Sequence, residues 1–276
     1  MAALTPAFST ADANNTFLPD FIAGLVTQPV VNGSVAAQVS TVLHPGPGTH
    51  KLRIPLVTGD PSASWVSELE EIVHSEGTID EAVSDFSKVA GLTRISREMR
   101  NDTNPAVLDL TGSGLVRDIA RQIDTAFFTT VAAPAPHGLT TTAFTPVASG
   151  GYANLDPFAE AISKAEEVGA SITSWVTNPS VALTLSKIKD QSGSNRTLLD
   201  RREVLGLPIV VSPYVATGTV WGIPADRVIV AVREDVNVTV DESRYFEYDA
   251  IALRAVMRIA FGFPHEAAIV RIASGS

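Results

Sequence analysis

Phe86-Ser87-Lys88-Val89-Ala90-Gly91-Leu92-Thr93-Arg94-Ile95-Ser96-Arg97-Glu98-Met99 carries the decision about fold. Residues 82–95 read as an extended strand element, and Ser96-Arg97-Glu98-Met99 reads as a short helical turn after it. Downstream, Asn104-Pro105 is a helix start, with Asn as the cap and Pro at the first helical position. Leu108, Leu115, Ile119, Ile123 and Phe127 then hold a helical period, while Arg117, Asp118, Arg121 and Gln122 face away. The pattern predicts one amphipathic helix of about 25 residues. Gly112 and Gly114 cost about 1 kcal/mol each against Ala inside a helix, so a bend is expected there.

Further along, 134–151 reads as an Ala/Pro/Gly/Thr loop. Asp156-Pro157 opens a second helix that Gly169 stops, Trp175–Thr177 is a short buried strand, and Asn178-Pro179 caps a third helix through Ile188. Leu207–Val211 and Arg227–Val232 read as core strands. Residues 251–261 alternate as a long strand with one apolar face and Arg254 and Arg258 on the other. The class is α+β with mixed sheets, not a doubly wound sheet.

Upstream, His44-Pro45-Gly46-Pro47-Gly48 is a dense turn signal, followed by a strand over 50–57 in which Leu52, Ile54 and Leu56 keep period two. Pro55 cannot donate to a ladder and points to an edge or a protruding ribbon. Gly59-Asp60-Pro61 turns the chain and Ser64–Leu69 is expected to return it, giving a long hairpin with little to bury. No Lys or Arg occurs between Arg53 and Lys88, while Glu68, Glu70, Glu71, Glu76, Asp80, Glu81 and Asp85 accumulate. Such a stretch is a solvated face or a surface for a basic neighbour. The first thirty residues read as an arm with a short helix near Leu18–Leu25.

Composition narrows the function classes. The 276 residues are 45% hydrophobic and 18% charged, which suits a globular chain of roughly two domains. With no cysteine, disulfides, thiolate metal sites and Cys nucleophiles are excluded. A net charge of −10 disfavours tight non-specific DNA binding and anionic membranes. No stretch approaches the roughly 20 apolar residues of a membrane helix, and the first residues carry no secretory signal. No nucleophile elbow, phosphate loop or dinucleotide fingerprint occurs. His44, His50, His74, His137 and His265 lack metal-ligand spacing, and the carboxylates of 68–85 lack a calcium-loop pattern. No catalytic, cofactor or metal residue is nominated; the arm, the protruding acidic hairpin and the long exposed helix favour a self-assembling structural protein, with an enzyme still an open alternative at this point.

Trp65-Val66-Ser67-Glu68 through Glu76-Gly77, the Phe86–Met99 run, Leu205-Gly206-Leu207-Pro208-Ile209-Val210 and the strand into Gly262-Phe263-Pro264 together resemble the tailed-phage major capsid protein family, which has the Hong Kong 97-type shell fold. The resemblance covers nearly the whole chain in order. It implies an N-terminal arm over 1–43, an extended loop over 44–80 lying on a neighbouring subunit, and a peripheral domain from 81–149 and 241–276 with a spine helix near 105–130. Residues 150–240 would form an axial domain. It also implies pentamers and hexamers closing into an icosahedral head shell around double-stranded DNA, in the virion after assembly in the host cytoplasm. A portal at one vertex, a separate scaffolding protein and a possible decoration protein are implied partners; no cofactor or membrane is.

Some family members weld subunits through a Lys–Asn isopeptide bond assisted by a Glu. Here Lys51 is the lysine near the loop, while Asp249 and Val256 stand at the places expected for the Asn and the Glu. The resemblance therefore implies no crosslink. Two alternatives stay open: an encapsulin-type nanocompartment shell, which shares the fold, and a soluble enzyme with a dispersed site.

Overall fold

The structure, a computed structural model, describes residues 33–273 apart from 47, 60, 70, 103–105, 192–193 and 200–201. The arm's expected helix over Leu18–Leu25 and the Asn104-Pro105 start lie outside those residues. In chain order the elements are α1 (Val35–Gln38), β1 (Thr41–Leu43), β2 (Lys51–Gly59), β3 (Thr78–Asp85), β4 (Ser87–Ser96), α2 (Arg97–Asp102), α3 (Ala106–Phe128), β5 (Thr145–Ala148), α4 (Asp156–Glu167), β6 (Ser174–Thr177), α5 (Pro179–Lys187), β7 (Glu203–Val204), β8 (Leu207–Val211), β9 (Thr219–Ile223), β10 (Ile229–Tyr245), β11 (Ala250–Gly262) and β12 (Val270–Ala273). Four strands pair in the order β1-β10-β11-β4, six in the order β5-β12-β9-β6-β8-β7, and β2 pairs with β3. The six-stranded sheet mixes parallel and antiparallel pairs, so the fold is α+β as the sequence implies.

The described residues divide into two compact units, one holding 90–120 and 235–257, the other 34–89, 121–234 and 258–273. In the first, Ile95, Ile251 and Leu253 form a core against Val107, Leu108 and Leu115. The helical turn of the Phe86–Met99 run is fixed there by Arg97. Its amide donates to the Asp249 carbonyl at 2.9 Å, and its Nε lies 3.3 Å from the Asp249 carboxylate.

The second unit has two cores of unequal size. Phe158, Trp175, Val181, Leu185, Val220 and Ile272 lead the larger one, where α4 and α5 cover the six-stranded sheet. Trp175 stacks edge-on against Phe158 at 5.0 Å and donates its indole N–H to the Val204 carbonyl. Tyr152 donates its hydroxyl to the carbonyls of Gly218 and Ile272 at 2.9 and 3.2 Å, tying the turn before α4 to β12. Asn178 caps α5, its Oδ1 accepting from the Ser180 amide. The smaller core is Leu52, Ala231 and Ala260 with Ile54, Phe86 and Ile229, at the foot of β2–β3.

Several local expectations need correction. Ser64–Leu69 does not return the hairpin. The partner of β2 is β3, in register from Lys51 opposite Asp85 to Gly59 opposite Thr78. Carboxylates of β3 meet β2 cations across the ladder, Lys51 Nζ lying 3.1 Å from Asp85 and Arg53 Nη1 2.9 Å from Glu81, which seats an acidic strand that propensity disfavours. The 134–151 loop contains β5, which pairs in parallel with β12. Both faces of the strand over 251–261 are largely buried, with Arg254 exposed and Arg258 half-buried at 3.3 Å from Glu234. Helix α3, as the period predicts, is one element that runs through Gly112 and Gly114. Past its end Gly138 is obligatory, because a Cβ there would stand 2.1 Å from the Ala126 carbonyl oxygen.

Candidate assembly surfaces

Leu52 and Ile54 anchor β2 at the foot of the hairpin, and beyond them the ribbon has little to pack on. Residues 61–69 are exposed, Trp65 and Leu69 completely (105% and 104%), and Ile72, Val73 and Ile79 strongly. Exposed polar loops are ordinary; an exposed indole among exposed leucine, isoleucine and valine side chains marks a surface built to be covered. A cleft of about 460 Å³ at the hairpin's foot is lined by Ile54, Val83, His137, Phe261, Phe263 and Glu266.

In the first unit the turn joining β10 and β11 shows Phe246 and Tyr248 to solvent, with Arg94 over the Tyr248 ring at 5.9 Å. Beside the six-stranded sheet, α5 and β8 bound a second groove of about 460 Å³ walled by Leu183, Leu185, Leu199, Ile209 and Val211, with Arg202 at its edge. Neither feature was drawn from the sequence. The Tyr245-Phe246-Glu247-Tyr248 cluster between two strands was the available signal for the first.

A third unforeseen feature is Asp124, buried on the apolar face of α3. Ser34 Oγ and the amides of Val35 and Ala36 donate to its carboxylate at 2.7, 3.1 and 2.9 Å, fixing the segment that follows the arm to the helix. Burial pushes its pKa up from the ordinary carboxylate value, against the pull of those three donors. One acid four residues after Ala120, on the buried stripe, was the legible hint.

The residues weighed for a crosslink sit as follows. Lys51 is half-exposed and ion-paired with Asp85. Asp249 is exposed, in the left-handed region (φ 44°), and held by Arg97. Val256 is a half-buried residue of β11. Among the described residues no group of three or more His, Asp or Glu could hold a metal ion, and no helix is long and apolar enough to cross a membrane. Tyr152, its pKa pushed up to about 12 mainly by burial, is bonded into the sheet rather than open to a substrate.

Among known proteins, the sequence model of the phage capsid family matches residues 13–273. No curated protein matches the chain in sequence. Its fold is similar to a solved structure of Mycobacterium phage Bobi, at 19% identity over 88% of this chain and 91% of that one, with a TM-score of 0.73. A structure of Mycobacterium phage Adephagia matches at 14% identity over 100% and 99% of the two chains, TM-score 0.74. The capsid of an empty GTA particle, computed with C5 symmetry, matches at 17% identity over 88% and 90%, TM-score 0.73.

Proposed function

The chain belongs to the phage capsid family, with the Hong Kong 97-type fold of its shell proteins, and from that premise we propose that it is the major capsid protein of a tailed phage. In this reading it forms pentamers and hexamers that close into an icosahedral head around double-stranded DNA. The observation that carries the proposal is the hairpin loop with Trp65 and Leu69 bare. Side chains that contribute nothing to their own fold are what a subunit completed by its neighbours would display. Shell closure then rests on many repeated contacts of modest strength, with symmetry limiting growth.

The parts follow the family plan. Residues 1–43 form the arm, whose stretch 34–36 is tied to Asp124, and 44–80 form the extended loop. Residues 81–149 and 241–276 form a peripheral domain around α3, and 150–240 an axial domain whose sheet β5 and β12 complete. The net charge of −10 suits a container that encloses DNA without gripping it. A scaffolding protein during assembly, a portal at one vertex and an optional decoration protein are the expected partners. No isopeptide weld forms, because Asp249 offers a carboxylate where an amide is needed and Val256 cannot move a proton. A ladder of multimers on denaturing gels of mature particles contradicts that last point.

Negative-stain electron microscopy of the purified protein tests the main proposal. Closed shells or five- and six-fold capsomers are expected. A 29 kDa monomer that persists at high concentration with a scaffold supplied overturns it.

A further inference from the structure

The two ends of the six-stranded sheet are closed in different ways. At one end β7 is two residues long, too short an edge to template another strand. At the other, β5 pairs in parallel with β12, from Thr145 opposite Val270 to Ala148 opposite Ala273. The Thr145 and Ser149 amides donate to the carbonyls of Ile269 and Ala273. Backbone groups alternate in direction along a strand, so Val147 faces β12 with them, while Pro146 and Ala148 turn their backbone groups to the outer edge. Both outward residues are exposed. An exposed outer edge of this kind is a template for a strand from another molecule.

At Pro146 that template lacks both of its contacts. Proline has no N–H to donate, and its carbonyl already accepts from Lys164 Nζ at 3.2 Å. Lys164 reaches it from the last turn of α4, steered by Glu160 one turn earlier, whose carboxylate lies 2.8 Å from the ammonium. A lysine near a helix end with an acid four residues before it is common on solvated surfaces. This one also sits on a strand carbonyl 18 residues back in the chain, at the one residue of β5 that has no donor. A strand arriving at β5 would meet a missing donor, an occupied acceptor and an ion pair to strip of water. We infer that Pro146 and Lys164 guard the outer edge of the sheet against strand addition by a second copy of this chain, leaving association to side-chain surfaces. The isologous pairing of two β5 edges is what the guard excludes. It acts in the single subunit, whatever that subunit goes on to build.

In the full-length chain, Pro146→Val combined with Lys164→Met restores the donor and frees the acceptor. It places a strand former at 146 and keeps a good helix former at 164. After low-speed centrifugation the double variant is expected to have lost soluble protein that wild type retains under the same conditions. Its pellet should show the infrared amide band of intermolecular β-pairing. Adding Ala148→Pro removes the remaining outward donor of β5 without breaking a bond to β12, and is expected to return the double variant to solution. A double variant that stays as soluble as wild type overturns the guard. A pellet without the intermolecular band overturns it too, as does one that Ala148→Pro fails to return, since misfolding rather than an open edge then accounts for the loss.

Discussion

Trp65 and Trp175 belong to the same compact unit and live in opposite environments. Trp175 is completely buried, stacked on Phe158 and hydrogen-bonded through its indole, inside a sheet covered by two helices. Trp65 touches solvent on every side, on a hairpin anchored at its foot by the small core under Leu52 and Ile54. The sheet region is finished within one chain, whereas the hairpin leaves its apolar side chains bare and, under the proposed function, is finished by another subunit. The same residue type supplies folding energy at Trp175 and, on the proposed function, is expected to supply association energy at Trp65.

The comparison breaks if the two regions respond alike to truncation. Trp175→Ala should cost the unassembled subunit about 3–5 kcal/mol, read by denaturant unfolding, and should lower the yield of folded protein. Asp124→Ala should follow at about 2–3 kcal/mol, since three donors lose a buried acceptor. Asp124→Asn keeps one acceptor oxygen and should cost less. Its effect depends on pH with a defined sign. Because the folded chain holds the Asp124 proton above the ordinary value of 3.8, this group favours folding most below that value and loses the advantage as pH rises through the folded pKa. Wild type should therefore gain on Asp124→Asn as the solution is acidified.

Tyr152→Phe should cost about 1–2 kcal/mol at neutral pH, through the carbonyls of Gly218 and Ile272. Tyr152 stays protonated to about pH 12 when folded and titrates near 10 when unfolded. Wild-type stability should therefore hold below pH 10 and fall between 10 and 12, by about 2–3 kcal/mol in all. The gap to Tyr152→Phe should close over that window. The smallest effect on folding belongs to Trp65→Ala, expected within about 0.5 kcal/mol of wild type, although its effect on assembly should be severe.

The same contrast explains what could be read in advance. Periodicity announced α3, α4 and α5, each of which buries a regular face, and the alternation of β11 announced a strand, although both its faces proved largely buried. A projecting ribbon was legible from Pro55 and the acidic composition after it. Its return strand was not, because Thr78–Asp85 holds only Ile79, Ala82 and Val83 as apolar residues, and its pairing is a backbone ladder with β2 that no side-chain period announces. Strands β5 and β12 escaped notice because four residues are too few for a period to show, and Arg271 is accommodated only by lying over Phe144 and Trp221. Asp124 was not singled out, because its partner Ser34 lies ninety residues earlier in the chain. The order of the Phe86–Met99 strand, its turn and the spine helix pointed to the family.

The central claim is that the hairpin loop serves association and not folding. Sedimentation of wild type and the Trp65→Ala/Leu69→Ala double variant, each paired with a thermal melt of its unassembled subunit, tests it most directly. The account predicts fast-sedimenting shells for wild type, only small oligomers for the variant, and subunit melts that coincide. A variant that assembles as readily as wild type, or one whose subunit melts markedly earlier, would contradict it.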